Sequence, residues 1–129
     1  MTHYANGAKF EYLVRDYFLA KGFFVIRSTG SHGIADLLVW RVGHEEGKIL
    51  GGSEVQVIQC KKESKRKSYD ADLIKLNSLQ VPKGWKKRLW VKSGKEIWVH
   101  DVTEKKFGIK VRTVSDVKKR IKELQNGKN

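Results

Sequence analysis

The sequence has few of the residues that build disulfides, zinc sites or membrane spans. Cys60 is the only cysteine among 129 residues, and a single thiol forms neither an intrachain disulfide nor a thiolate zinc site. No run approaches the ~18 apolar residues that span a bilayer. The polar start of the chain, Met1 to Ala8, also lacks the apolar stretch of a secretion signal. These absences predict a protein that acts in the cytoplasm of a cell or of a virus-infected host, with no membrane partner.

Acidic residues are scarce relative to basic ones. The chain has 14 Asp and Glu against 27 Lys and Arg, which gives a formal net charge of +13. A surplus this large repels itself in a compact domain and is typical of proteins that bind a polyanion. An anionic membrane surface is the alternative, but the basic amphipathic helix near the C-terminus has the character of an ordinary packing helix. The charge therefore favours a nucleic acid as the partner.

Length and hydrophobic patterning predict one compact α/β domain over residues 1–129. Hydrophobic residues make up 40% of the chain and charged residues 32%, which suffices for a core. Apolar spacing predicts helices and strands in the order αβββαββ(β)α, with an optional last strand. The helices are expected at 5–20, 70–79 and 114–124, and the strands at 23–28, 34–42, 54–61, 88–92, 96–102 and 109–112. This order predicts a central mixed β-sheet flanked by helices.

The second and third predicted strands, 34–42 and 54–61, are expected to form an antiparallel hairpin. The segment between them, 43–53, is polar and rich in glycine and has no helical periodicity. If the hairpin turns near Gly47 and Lys48, the start of one strand lies beside the end of the other. Polar side chains at those two ends are then brought together.

Three polar side chains, those of Asp36, Gln59 and Lys61, fall at these facing strand ends. Because side chains alternate along a strand, Gln59 and Lys61 share one face while Cys60 points to the other, as a small buried residue would. A carboxylate, an amide oxygen and an ammonium at one sheet edge suit Mg²⁺ with its waters. Such a cation polarises a scissile phosphate, and a nearby lysine orients or deprotonates the nucleophile. Glu11, beside the apolar stripe of the first helix, is a further carboxylate within reach of this edge.

The residues around this edge resemble those of a known nuclease family. Residues 25–38 (VIRSTGSHGIADLL) and 57–61 (VIQCK) resemble the core of the PD-(D/E)xK nucleases. Together with a glutamate in the preceding helix, they resemble the archaeal and phage Holliday-junction resolvases in particular. The likeness runs from about Gly7 to Lys61 and more loosely to about Val114. It implies the restriction-endonuclease-like fold, and homodimers that use Mg²⁺, or Mn²⁺ in its place, to cut two strands of a four-way DNA junction symmetrically.

The resemblance also implies roles for individual residues. Glu11 matches the family's helix glutamate, Asp36 its metal-binding aspartate and Lys61 its motif lysine. Ser31 matches a loop serine that the family uses near the scissile phosphate. The implied catalytic set is Glu11, Ser31, Asp36, Gln59 and Lys61, and the implied metal ligands are Glu11, Asp36 and Gln59.

Residues beside the proposed site are expected to contact DNA. The run from Lys61 to Lys67 contains five Lys or Arg and would meet backbone phosphates. Arg27 matches the basic residue with which the family ends its first strand. The expected DNA-contacting residues are Arg27, Ser28, His32, Lys62, Lys65, Arg66 and Lys67. The plain alternatives are a solvated basic loop and an idle exposed histidine at position 32.

The sequence departs from the family pattern at two places. Gln59 stands where the family has glutamate, which removes one negative charge and predicts weaker metal binding. The loop between Ser31 and Asp36 is about a residue longer than in the relatives, which leaves the role of Ser31 open.

Three functions therefore stay open, with junction resolution expected first. The second is a nicking, flap or repair endonuclease of the same superfamily. The third is a non-catalytic nucleic-acid-binding module of the same fold, which Gln59 favours. For Asp36 and Lys61 themselves the alternative is a solvated pair at two strand ends, and for Gln59 an ordinary amide.

Overall fold

The computed structural model describes residues 2–28, 35–45, 48–63, 70–103 and 106–126. The helices are α1 (Thr2–Ala20), α2 (Asp70–Ser78) and α3 (Val114–Asn126). The strands are β1 (Phe24–Arg27), β2 (Leu37–Glu45), β3 (Lys48–Glu63), β4 (Lys86–Ser93), β5 (Glu96–Asp101) and β6 (Lys106–Thr113). The predicted element order is confirmed, including the optional last strand. Among the described helices, none is long and apolar enough to cross a bilayer.

The first helix ends in a Schellman motif. Gly22, with φ of 92°, donates its N–H to the carbonyl of Leu19 at 3.0 Å, and Phe23 donates to Phe18 at 3.0 Å. The rings of Phe18 and Phe23 then meet edge to face at 5.0 Å between centroids. This motif satisfies carbonyls that a helix end leaves without partners, and it turns the chain directly into β1. The end at Ala20 is the one that the sequence predicted.

The described strands form one mixed sheet in the order β1-β2-β3-β4-β5-β6. β3 and β4 pair in parallel, and the other neighbouring pairs are antiparallel. Parallel neighbours need a crossover connection, and α2 lies in the chain between β3 and β4. The α/β architecture with a mixed sheet between helices is thus as predicted.

The β2–β3 hairpin has the predicted register, but its strands are longer than expected. Leu37 lies opposite Ile58 and Trp40 opposite Val55, which is the register of a turn near positions 47 and 48. The prediction of a polar connection over 43–53 is wrong, because β2 continues to Glu45 and β3 starts at Lys48. Each strand satisfies the backbone groups of the other, so pairing continues where the side chains no longer alternate between apolar and polar. At its other end, β2 begins at Leu37, so Asp36 precedes the strand.

Each face of the sheet has its own core. On the α1 face, side chains of α1 and α3 pack on the sheet with Phe10, Val14, Leu37, Ile58, Trp90, Val117 and others. On the α2 face, Leu76 of α2 packs with Val57, Leu89, Val91 and Val102. Alternation along β3 explains this division, because Val57 belongs to one core and Ile58 to the other.

A row of buried polar side chains ties four strands together on the α1 face. Arg41 contacts Glu54 at 3.2 Å, and Gln56 donates to Glu54 at 3.1 Å. Arg88 donates to Gln56 and to Asp101, each at 3.0 Å. Gln56 and Asp101 are only 2% and 4% exposed, so each depends on these partners for its stability in the core.

The short helix α2 leaves part of its own face uncovered. Phe24 and Ile26 of β1 are 66% and 64% exposed, and Trp40 of β2 is 37% exposed. Together with Leu38, Val55 and Trp85 they line an open cavity of about 400 Å³. We call these six residues the apolar patch. Trp85 is half-buried in its wall.

The last helix begins with a capping box. Asp116 donates its backbone N–H to Oγ1 of Thr113 at 3.1 Å, and Thr113 donates its own N–H to Oδ2 of Asp116 at 3.4 Å. This reciprocal pair satisfies donors at the helix start. Thr113 is therefore the N-cap of α3, directly before the start of the predicted helix at 114.

Candidate functional site

Asp36 is fixed between β1 and β3 by three hydrogen bonds. Its backbone N–H donates to Ile58 at 2.8 Å, and its carbonyl accepts from Ser28 at 2.9 Å. Its carboxylate oxygen Oδ2 accepts the backbone N–H of Cys60 at 2.7 Å. Asp36 therefore lies against the end of β3, where it contacts Ile58 and Cys60, the residues on either side of Gln59, as the hairpin register predicts.

Glu11 reaches the same region from α1. It follows the buried Phe10, and its carboxylate Oε1 lies 3.2 Å from Nε of Arg27 at the end of β1. The side chain of Glu11 is 12% exposed and that of Arg27 is 28% exposed. Tyr12 contributes its ring, which lies 4.7 Å from the guanidinium carbon of Arg27 and 4.7 Å from that of Arg15. Glu11 thus lies in a half-buried site next to an aromatic ring that two guanidinium groups contact.

The charges of this cluster perturb each other. Burial raises the pKa of Glu11, and repulsion by Asp36 raises it further, while Arg27 and Arg15 oppose the shift. Burial also raises the pKa of Asp36, against the hydrogen bond from Cys60 and the charge of Arg27. Raised carboxyl pKa values mean that positive charge within the site does not fully offset the cost of ionisation. A divalent cation would supply the missing charge.

The thiol of Cys60 is the uncharged neighbour of these carboxylates. It packs against the core of the α1 face. Burial raises the pKa of Cys60 well above its ordinary value, and the charges of Asp36 and Glu11 add to the effect. The thiol therefore stays protonated at neutral pH and is a poor nucleophile. This agrees with its interpretation as a packing residue.

The Lys61 side chain contacts α2 on the α2 face of the sheet. Its ammonium lies 3.4 Å from Oδ2 of Asp72 in α2, with 40% of the lysine side chain exposed. Val57 packs on the α2 face, and alternation places Gln59 and Lys61 on that face too. The structure thus brings Glu11, Asp36 and Arg27 together and pairs Lys61 with α2.

The expected DNA-contacting residues are only partly covered by the described chain. Ser28 and Lys62 are exposed near the cluster, and Arg27 is half-buried within it. Ser31 and the remaining DNA candidates lie outside the described residues, namely His32, Lys65, Arg66 and Lys67.

Sequence reasoning missed Tyr12 and Asp72. Tyr12 adjoins Glu11 in the chain, and its contact with Arg15 lies within α1, but its contact with Arg27 depends on how α1 lies on the sheet. Asp72 stands in the first turn of α2, where an acidic residue is expected simply because it offsets the helix dipole. Neither residue therefore carried a functional signal in the sequence.

The donor set fits a magnesium ion that keeps several waters. Among the described residues, no group of three His, Cys, Asp or Glu side chains is placed to hold a metal. Mg²⁺ is commonly bound through one or two carboxylates, with water and substrate oxygens completing its shell. Glu11 and Asp36 supply two carboxylates that act on each other, whereas alternation along β3 turns Gln59 to the α2 face, away from Glu11. The two carboxylates could hold such an ion with water, whereas a dry all-protein cage is not available among the described residues.

Comparisons with family models, with curated proteins and with solved structures found no significant match for this chain. The resemblance to junction resolvases therefore depends on the residues of the sequence alone.

Proposed function

We propose that this protein is a Mg²⁺-dependent DNA endonuclease that resolves four-way junctions by paired symmetric cuts, as a homodimer of restriction-endonuclease-like subunits. The observation that carries the proposal is the pair of half-buried carboxylates of Glu11 and Asp36, both with raised pKa values. Perturbed acids that meet at one sheet edge are typical of catalytic sites. Asp36 lies at the end of β3, where it accepts the N–H of Cys60, and its charge acts on Glu11; two such carboxylates would suit metal-assisted hydrolysis.

In this mechanism the chain holds the ion and positions the substrate around it. Glu11 and Asp36 would hold Mg²⁺ together with water, and the ion would polarise the scissile phosphate and lower the pKa of its bound water. Lys61, near the end of β3, would stabilise the developing charge or orient the nucleophile. Its ammonium lies 3.4 Å from Asp72 in the structure, so this role would require Lys61 to leave Asp72. Arg27, within the cluster, would bind a phosphate oxygen.

Charge and symmetry support a branched DNA substrate. The net charge of +13 favours many phosphate contacts, which hold DNA arms without reading bases. Two cuts in a four-way junction need two sites, and one chain supplies one. The apolar patch offers a surface for a second copy, because its six residues carry no charge and two basic chains can approach there.

A panel of DNA substrates tests the proposal. Synthetic four-way junctions, flaps and linear duplexes are incubated with the protein in Mg²⁺, and the cleavage positions are mapped on each strand. Paired symmetric cuts confined to the four-way substrate are expected. Equal cutting of flaps would instead favour a flap or repair nuclease of the same superfamily.

The second candidate is a non-catalytic nucleic-acid-binding module. It is favoured by Gln59, which gives the site one carboxylate fewer than the resembled family has. It is also favoured by the Lys61–Asp72 ion pair, which holds the lysine toward α2. This function predicts junction binding without cleavage in Mg²⁺ and in Mn²⁺, and the same substrate panel detects it.

A further inference from the structure

We infer that Arg27 is a tethered counter-cation of the Glu11–Asp36 site, which a divalent cation displaces from Glu11, and that the displaced guanidinium then binds a DNA phosphate. The inference rests on the proposed function and deepens it, since it couples metal binding to DNA binding at that site. It makes Arg27 a switch between two anions, the Glu11 carboxylate and the DNA backbone.

The contacts of Arg27 place its charge where a metal would sit. Its Nε lies 3.2 Å from the Glu11 carboxylate, in a pair whose side chains are 28% and 12% exposed. Its charge acts on Asp36 as well as on Glu11. The guanidinium also lies over the ring of Tyr12, 4.7 Å from its centroid. The positive charge of Arg27 therefore stabilises the ionised forms of both carboxylates.

A metal ion and this guanidinium compete for the same oxygens. A cation that ligates Glu11 binds the carboxylate whose oxygen lies 3.2 Å from Nε of Arg27. In addition, a divalent ion and a guanidinium a few ångströms apart repel strongly in a half-buried site. Metal binding must therefore include the free energy of moving Arg27 away from Glu11.

The displaced guanidinium has a natural new partner in the substrate. Its planar fork binds phosphate oxygens through paired hydrogen bonds. The end of β1 lies beside Asp36, because Ser28 donates to the Asp36 carbonyl, so a phosphate over the metal would be close by. By linkage, DNA that holds Arg27 strengthens metal binding, and the metal strengthens DNA binding to the same extent.

Metal affinity without DNA gives the first test. Mn²⁺ binding to the full chain is measured from the paramagnetic resonance signal of the free ion, for wild type, Arg27→Gln and Arg15→Gln. Removal of Arg27 should tighten Mn²⁺ binding roughly five-fold, the size typical of coupling between two ligands. Arg15 is the matched control, because its charge also acts on Glu11 but its contact is with Asp16 at 2.8 Å. Arg15→Gln should therefore change the affinity much less.

A second variant tests whether the guanidinium geometry matters at constant charge, and a spectroscopic control checks folding. Arg27→Lys keeps the charge but loses the fork, so its Mn²⁺ affinity should fall between those of wild type and Arg27→Gln. Circular dichroism shows whether each variant is folded. Equal tightening by Arg15→Gln and Arg27→Gln would overturn the inference, because long-range charge alone would then explain the effect.

DNA affinity gives the reciprocal test. Binding of a fluorescent four-way junction is measured at constant ionic strength in EDTA and in Ca²⁺. Arg27→Gln should change the dissociation constant little in EDTA, where Arg27 is tied to Glu11, and weaken binding roughly five-fold in Ca²⁺. An equal loss in both conditions would contradict the switch.

The outcomes separate this inference from the proposed function. If Mn²⁺ binds wild type and Asp36→Asn removes that binding, but Arg27→Gln does not tighten it, the metal site stands and the switch fails. If neither wild type nor Arg27→Gln binds Mn²⁺, both fail. Binding by Arg27→Gln that exceeds wild type supports both.

Discussion

At the scale of single residues, the site is defined by two acids that the fold makes costly to ionise. Glu11 and Asp36 are half-buried, and the charge of Asp36 adds to the raised pKa of Glu11. Carboxyl groups with raised pKa values are common at functional sites, where a ligand stabilises the ionised form. In this site the candidates for that ligand are the Arg27 side chain and a divalent cation.

The raised pKa of Glu11 predicts a specific dependence of stability on pH. Below its ordinary pKa of 4.5, Glu11 is neutral in both the folded and the unfolded chain. As pH rises through its raised folded pKa, ionisation destabilises the fold. In EDTA, wild type should therefore lose stability relative to Glu11→Gln as pH rises above about 4.5. Urea denaturation of both proteins at several pH values measures this difference.

Saturating Ca²⁺ is the control for that prediction. A metal ligand binds in its ionised form, so the cation should reverse the trend and favour wild type at higher pH. A stability difference that is the same at all pH values in EDTA would show that Glu11 ionises without cost.

The sequence predicted where Asp36 lies but not the partners of its neighbours. The hairpin register followed from spacing, and it placed Asp36 beside Gln59. The Arg27–Glu11 contact depends on the rotation of α1 over the sheet, and the Lys61–Asp72 contact on the position of α2. Such contacts join residues far apart in the chain, so periodicity along one element does not reveal them.

At the scale of elements, local hydrogen bonds fix the end of α1 and the start of α3. Removing the Thr113 side-chain acceptor by Thr113→Ala should destabilise the protein by ~1 kcal/mol, the usual value of an N-cap. Ser115→Ala is the matched control, because Ser115 is an exposed residue in the first turn of the same helix. It should change the free energy of unfolding by less than about half the effect of Thr113→Ala. Urea denaturation compares the two. Equal effects would show that the capping box adds nothing.

Local chemistry explains which element boundaries the sequence predicts. Gly22 and Thr113 each make hydrogen bonds to backbone groups only a few residues away, at the end of α1 and at the start of α3. Because these bonds are local, the residue types at these positions indicate the helix ends in the sequence. The extension of the β2–β3 hairpin over 43–53 is satisfied by cross-strand backbone bonds instead, and backbone bonds leave little trace in side-chain pattern. For this reason glycine and polar residues there wrongly predicted a loop.

At the scale of the whole molecule, the sheet is covered unequally. α1 and α3 pack on one face, while the nine-residue helix α2 covers only part of the other and leaves the apolar patch. The sequence predicted a mixed sheet between helices but not this asymmetry, because it follows from which strands α2 reaches after its crossover.

The apolar patch predicts how the protein associates. Ile26→Asp places a charge in the patch and should shift the protein from dimer to monomer in sedimentation analysis. Ile74→Asp is the matched control, because Ile74 on α2 is 68% exposed and Ile26 is 64% exposed. A dimer that survives Ile26→Asp, or a wild type that is monomeric, would place the contact between subunits elsewhere or exclude it.

Cleavage by an Asp36→Asn variant tests the account as a whole most directly. The asparagine oxygen can still accept the Cys60 N–H, so the fold and the affinity for a four-way junction should persist. Mutating even the outer partners of a metal ligand costs ~10–100-fold in affinity or activity, so loss of the ligand itself should slow Mg²⁺-dependent cutting more than ~100-fold. A variant that binds and cuts the junction at the wild-type rate would contradict the assignment of the site.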